Sequence, residues 1–263
     1  MPELPDIEAN ALQLRQHSLG RKIARIALHD PGRLRASNPA DLEAALTGHA
    51  IDAVERHGKV LFLKISCGWK LVVHFGMTGH LTALEDGTAE PAHCRLHLLF
   101  QDGGGLAFTD LRRLGWVELT DDPAHYLRSQ DIGPDVLTLD AETFARRVAG
   151  KRGQLKTALM DQSVVAGLGN VWADEVLFQA GLRPDVKAHA QKPEVLRTLH
   201  ATIRRVLPAA VAHGADPKRL PESFLTPRRG LDNPTCPACG DALETPKIAG
   251  RTAYLCPTCQ PGR

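Results

Sequence analysis

Apolar residues in the first half of the chain come in short runs broken by turn formers. KIARIALH (22–29), KVLFLKIS (59–66), KLVVHFGM (70–77), RLHLLFQD (95–102), LAFTD (106–110) and GWVEL (115–119) are short, and Gly, Asp and Pro punctuate them. Runs of that length and punctuation predict strands, and their spacing predicts a β-sandwich or flattened barrel. A helix signal precedes them over residues 2–20: Pro5 suits a first turn, Asp6 and Glu8 are acidic near its positive end, and Gly20 is a stop. Residues 131–139 (DIGPDVLTL) read as a connector. From 141 to 215 the pattern turns helical, through ETFARRVAG, QLKTALMDQ, NVWADEVLFQAGL and a long last segment. That segment sets Leu196, Leu199, Ile203, Val206 and Leu207 on one face, at spacings of three and four. Residues 216–234, rich in Pro and Arg, read as a loop. The predicted class is α+β, divided as 1–130, 131–215 and 216–263.

Composition changes this picture little. A 43% hydrophobic and 24% charged content is ordinary for a globular protein. A net charge of +2 does not call for a nucleic-acid partner, so any basic footprint must come from local clustering. No apolar run is long enough to cross a membrane. MPELPDIE lacks the basic-then-apolar order of a secretory signal, so the expected compartment is the cytoplasm.

The chemistry-bearing residues change it more. Of six cysteines, four follow C-x2-C-x16-C-x2-C as Cys236, Cys239, Cys256 and Cys259. Two tight turns, each giving two sulfurs, suit tetrahedral zinc. With all four positions filled by thiolate, no place is left for water, so the zinc is expected to be structural. A disulfide reading suits an oxidising compartment instead. Cys67 and Cys94 stand alone in strand-like contexts.

The N-terminus reads in two ways. MPELP is a helix start, or, with Met1 removed, it bares a secondary amine on Pro2. An α-amino group titrates near neutrality and is partly nucleophilic there, and Glu3 beside it can move protons. Likewise VVAGLGNVWADEVLF (164–178) is either an ordinary helical hairpin, with Asn170 capping its second helix, or a glycine turn offering N–H groups to a phosphate. HFGMTGHL (74–81) and FTDLRRLG (108–115) look like strand-to-loop exits. Met77 and Leu114 are there either core or an apolar wedge, which with an arginine could fill the stack vacated by a flipped base.

Taken in order, MPELPDIE, HFGMTG, TDLRRLG, MDQSVVAGLGNVWADE and the four-cysteine ribbon resemble the formamidopyrimidine-DNA glycosylase and endonuclease VIII family over nearly the whole chain. The resemblance implies an N-terminal β-sandwich, a helix–two-turn–helix domain and a C-terminal zinc ribbon. It implies a glycosylase and abasic-site lyase of base excision repair that removes oxidised bases and cuts the strand by β,δ-elimination. The partner implied is damaged double-stranded DNA, bound by a monomer. By motif, Pro2 resembles the nucleophile, Glu3 the proton-transfer acid, and Lys59 the catalytic or phosphate-binding lysine. His74, Asn170 and Arg251 resemble phosphate contacts, and Met77, Arg112 and Leu114 the void-filling residues. Asp6 and Glu175 match acids that support the active site, and the four cysteines match the zinc ligands.

Three departures bear on base specificity. Asp6 stands where the family has Glu, and Leu114 where the purine-directed enzymes have Phe. The segment 214–236 is short and lacks the loop that closes over 8-oxoguanine. PELP favours oxidised purines such as formamidopyrimidine or 8-oxoguanine. The short segment favours oxidised pyrimidines or bulky or cross-linked lesions. A non-catalytic damaged-DNA-binding protein would be marked by loss of Pro2 or Glu3, and both are present.

Overall fold

The computed structural model describes residues 1–262. By internal packing the chain forms two compact units, one of residues 1–2 and 6–129, the other of residues 3–5 and 130 onward.

The first unit contains α1 (Leu4–Ser18) from Asp6 onward, β1 (Ile23–Leu28), β2 (Leu34–Arg35), α2 (Pro39–Leu46), β3 (Ile51–His57), β4 (Val60–Ile65), β5 (Lys70–His74), β6 (Gly79–Leu84), β7 (Cys94–Phe100), β8 (Gly105–Asp110), β9 (Trp116–Thr120) and α3 (Pro123–Ser129). The strands make two sheets, ordered β1-β7-β8-β6 and β2-β9-β5-β4-β3. Alternate residues of both sheets, including Leu61, Leu63, Leu71, Val73, Leu96, Leu98, Leu106 and Phe108, share one buried cluster, as in a sandwich. Ile7, Ala11 and Leu14 of α1, at spacings of four and three, join that cluster.

All six predicted strands form, and three more join them. β3 and β6 carry charged or small residues that dilute their apolar signal, and β2 is only two residues long. α2 lies inside the stretch predicted to be all strands. Its start is legible afterwards: the Asn38 side chain accepts a bond from the Asp41 N–H, Pro39 occupies the first turn, and Leu42 and Leu46 bury one face.

The second unit is built from α4 (Ala141–Ala149), α5 (Leu155–Met160), α6 (Asn170–Gln179), α7 (Pro193–Ala212) and the hairpin β10 (Lys247–Ile248) and β11 (Arg251–Thr252). Leu196, Leu199, Ile203, Val206 and Leu207 are fully buried, as their spacing predicts. The connector 131–139 is tied to the turn after α5, the Val136 N–H donating to the Ala166 carbonyl at 3.0 Å.

Candidate active site and nucleic-acid interface

Glu3 is buried among groups of the second unit. Its Oε2 accepts bonds from the Gly169 N–H at 2.8 Å and the Trp172 N–H at 3.0 Å, and its Oε1 accepts from the Val171 N–H at 2.9 Å. These are the orphan donors at the start of α6, where the helix dipole also favours negative charge. The next residue is held too, the Leu4 N–H donating to the Gly167 carbonyl at 3.0 Å. Two glycines make room for this docking. A Cβ on Gly169 would stand 2.4 Å from the Glu3 carboxylate, and one on Gly167, whose φ is +121°, would stand 2.6 Å from Leu4. Of the two readings of this turn, an ordinary helical hairpin or N–H groups offered to a phosphate, the second is not met by the Gly169, Val171 and Trp172 N–H groups. The chain's own carboxylate occupies them.

Asn170 does not cap α6 either. Gly169 is the cap residue, and Asn170 opens the helix with its Nδ2 donating to the Thr252 carbonyl at 3.2 Å. Thr252 follows Arg251 in β11, which leaves a two-residue turn with Ala249 and Gly250 both at positive φ. Asn170 and the exposed Arg251 are thus brought together. A buried ionic group backs them, which the sequence did not reveal. Lys156 Nζ lies 2.7 Å from Asp174 Oδ1 and Arg229 Nη1 lies 2.5 Å from Asp174 Oδ2, while the Tyr254 N–H donates to Oδ2 at 3.0 Å. Burial pulls the Lys156 ammonium below its usual pKa against the opposing pull of Asp174.

Glu175 is fully buried, and the bonds to its carboxylate come from outside the N-terminal segment. It accepts from the Leu225 N–H at 3.1 Å and from the Thr226 N–H and hydroxyl, both at 2.7 Å, with Gln179 Nε2 at 3.0 Å. Glu175 thereby anchors the segment that leads into the ribbon. Burial raises its pKa and these bonds oppose the rise. Asp6 lies in the first turn of α1.

The four C-terminal cysteines converge. Their sulfurs all lie within 4.8 Å of one another, Cys236 being 3.7 Å from Cys259 and Cys239 3.5 Å from Cys256. Zn–S bonds of about 2.3 Å at tetrahedral angles put sulfurs about 3.8 Å apart, so the set fits one zinc ion. Backbone N–H groups of Ala238 and Cys259 point at the sulfurs of Cys236 and Cys256, each at 3.4 Å. The apolar cluster that the ribbon joins is small: its own Leu243, Cys236 and Cys256 pack with Phe178 of α6 and Leu225. Such a module depends on its metal for folding. A Cys239→Ser variant is expected to lose its zinc and at least about tenfold in DNA affinity, since Arg251 is then no longer placed. Elemental analysis and a binding isotherm check this, and full affinity without zinc would contradict it.

On the sandwich, His74 ends β5 opposite Val60 of β4, and Lys59 immediately precedes that partner. His74 stacks on Trp116 with ring centroids 3.6 Å apart, and the Arg35 guanidinium sits 3.6 Å from the centre of the same indole. The sequence reading missed both Trp116 and Arg35. Burial, then the charges of Arg35 and Lys59, push the His74 pKa down to about 4. Its Nδ1 accepts from the Gly76 N–H at 3.1 Å, which places the proton of the neutral ring on Nε2. His74 is therefore a neutral donor near pH 7.

The lowered value gives a pH prediction. The unfolded chain binds the extra proton between the folded pKa of about 4 and the ordinary 6.5, so this stability is complete above 6.5 and is lost as pH falls toward 4. The upper bound is about 3 kcal/mol. Denaturation midpoints at pH 7 and pH 4.5 check it for the wild type and His74→Asn, whose pH dependence should be weaker. An imidazole titrating near 6.5 in the folded protein would contradict it.

Two loop tips of the sandwich are locked together by Asp110, which is buried. It accepts from the Thr78 hydroxyl at 2.5 Å, the Leu114 N–H at 2.7 Å, the Gly115 N–H at 2.6 Å and the Arg112 N–H at 3.2 Å. Burial would raise its pKa, but these bonds outweigh that and hold the carboxyl below its ordinary value. Gly76 allows the close approach, a Cβ there standing 2.5 Å from the backbone of Leu114 and Gly115. The tips present Met77 at 38% and Leu114 at 44% exposure, with Arg112 also exposed. Leu111, at 61%, is exposed beside them and was not anticipated.

Comparison with known proteins agrees with this architecture. The family models for the formamidopyrimidine-DNA glycosylase N-terminal domain, its H2TH domain and the zinc finger found in FPG and IleRS match residues 1–117, 132–221 and 234–262. The formamidopyrimidine-DNA glycosylases of Geobacter metallireducens and Pelobacter propionicus are 39% and 36% identical to this chain, over 99% of it and all of each relative. A Lactococcus lactis enzyme of that name, solved non-covalently bound to DNA containing an AP site, superposes with a TM-score of 0.88 at 28% identity, covering 99% of this chain and all of that one. The chain belongs to the formamidopyrimidine-DNA glycosylase family.

Proposed function

We infer that this protein is a bifunctional DNA glycosylase and AP lyase of base excision repair, with Pro2 as its nucleophile. The observation that carries the reading is the docking of Glu3, the residue next to Pro2, on three N–H groups of α6. Such bonds favour the carboxylate form. Glu3 is thus assigned to take a proton from the Pro2 ammonium, once Met1 is removed, and to pass it to the ring oxygen of the sugar. The free amine attacks C1′, the base departs with its bonding pair and is protonated, and an iminium remains. Loss of the C2′ proton expels the 3′ phosphate, and a second elimination expels the 5′ phosphate. Lys59, His74, Asn170 and Arg251 are assigned to phosphates, and Met77, Arg112 and Leu114 to the vacated stack. Asp6 and Glu175 support the arrangement from outside the reaction. The boundaries 1–130, 131–215 and 216–263, a monomeric state and action on chromosomal DNA in the cytosol belong to the same reading. Among the described residues, no helix is long and apolar enough to cross a membrane.

Oxidised purines are assigned as the substrate class. A close structural neighbour, a Lactococcus lactis variant enzyme, was solved with DNA containing Fapy-dG. One observation favours oxidised pyrimidines instead: the segment before the ribbon is short and pinned by Glu175, Asp174 and Tyr254. Single-turnover excision from duplexes carrying formamidopyrimidine, 8-oxoguanine or thymine glycol decides between them. The purine reading predicts that either purine lesion is cut at least about tenfold faster than thymine glycol, and the reverse order would overturn it.

A further inference from the structure

Far along the chain from the ribbon, a second set of metal-ligating side chains meets on the β-sandwich. His29 directly follows β1, Glu90 lies in the connection between β6 and β7, and Cys94 opens β7. Ligand atoms of the three lie within 4.8 Å of one another. His29 Nε2 is 2.9 Å from Glu90 Oε1, close to the separation of about 3–3.5 Å between two ligands bonded to one zinc at about 2.0–2.2 Å. Backbone contacts fix the pieces. The His29 N–H donates to the Arg95 carbonyl at 2.9 Å, and the strand pairing shifts register between Cys94 and Leu96. Glu90 is oriented from behind: His97 Nδ1 stands 3.0 Å from its Oε2, while His97 Nε2 is buried without a hydrogen-bond partner. An unpartnered nitrogen is cheaper to bury as a bare acceptor than as a donor. The His97 proton is therefore on Nδ1 and directed at the carboxylate, the outer support that metal-bound carboxylates ordinarily have.

We propose that His29, Glu90 and Cys94 form a second divalent-metal site of the zinc class, distinct from the cysteine ribbon. Two of the three ligands are nitrogen and sulfur, which disfavours calcium and magnesium. On binding, the Cys94 thiol gives its proton to solvent and its sulfur pair to the metal, and the proton that His29 Nε2 directs at Glu90 passes by way of solvent to Nδ1, which frees the Nε2 lone pair for the metal. Thiolate and carboxylate together cancel the charge of the ion, and a water completes a tetrahedral shell. The site joins the end of edge strand β1 to the start of β7, so occupancy clips that corner of the sheet.

The test starts from the purified protein carrying its ribbon zinc. Equilibrium dialysis against micromolar free Zn2+ should yield two zinc ions per chain, and added Co2+ should produce a thiolate-to-cobalt charge-transfer band. His29→Ala, Glu90→Gln and Cys94→Ser should each return the count to one and abolish the band. The first two alter exposed side chains, so they keep the test valid if Cys94→Ser fails to fold. Saturating zinc should raise the thermal midpoint of the wild type by several degrees, and that of the variants by less. A wild-type count that stays at one overturns the proposal, as does a second zinc that persists in all three variants. Strand cutting by the variants should be unchanged, which separates failure of this site from failure of the glycosylase reading.

Discussion

Protein in which Met1 is retained, or in which one residue is added before Pro2, is expected to lose strand cutting by about 10⁴-fold or more while still binding DNA. The nucleophile assigned here is a secondary amine that exists only when Pro2 is the first residue. Blocking it leaves an amide nitrogen, whose lone pair is delocalised into the carbonyl and cannot attack C1′. Removing a covalent nucleophile costs more than removing any single supporting group, as nucleophile deletions in other enzymes show. Affinity should survive, because it rests on phosphate contacts. Nicking assays on an abasic duplex, paired with binding isotherms, check this. Activity within a few-fold of the processed protein would contradict the assignment.

Gly169→Ala is expected to lower the single-turnover rate by about 10²–10³-fold with little loss of stability. The Gly169 backbone, at φ −130° and ψ −153°, is extended and open to any residue, so alanine adds no torsional strain. The added methyl instead meets the Glu3 carboxylate, the flexible end of a side chain that can swing away. The fold should therefore persist, with a midpoint shift of a few degrees, while Glu3 leaves its three N–H partners. Gly167→Ala should behave differently. At φ +121° any side chain is strained, and its methyl meets Leu4, so stability falls together with rate. A Gly169→Ala enzyme with an unchanged rate would show that the docking of Glu3 is dispensable.

Much of this was legible in the sequence, for reasons that differ by residue. The cysteine spacing carries its geometry with it, because four sulfurs at that separation have few other uses, and they do converge. The helical face of α7 and the six apolar strands follow from period alone. Met77 and Leu114 were ambiguous between core and wedge, and their exposure comes from the Asp110 network, whose donors are mostly backbone N–H groups that no side-chain pattern encodes. The glycine turn reads two ways in the sequence for a related reason. Its N–H groups suit an anion, but Glu3, the anion that takes them, lies more than 160 residues away in sequence. Likewise Lys156, Asp174 and Arg229 each look like solvated charges until the fold buries them together. Long-range partners were what the sequence concealed.

The central claim is that the covalent bond to DNA is made by Pro2. Borohydride trapping on a duplex with a single abasic site, followed by proteolysis and mass mapping of the cross-link, tests it directly. The account predicts one DNA-bearing peptide, beginning at Pro2, with the reduced sugar on the proline nitrogen. A cross-link mapped to Lys59 or to any other lysine would contradict it.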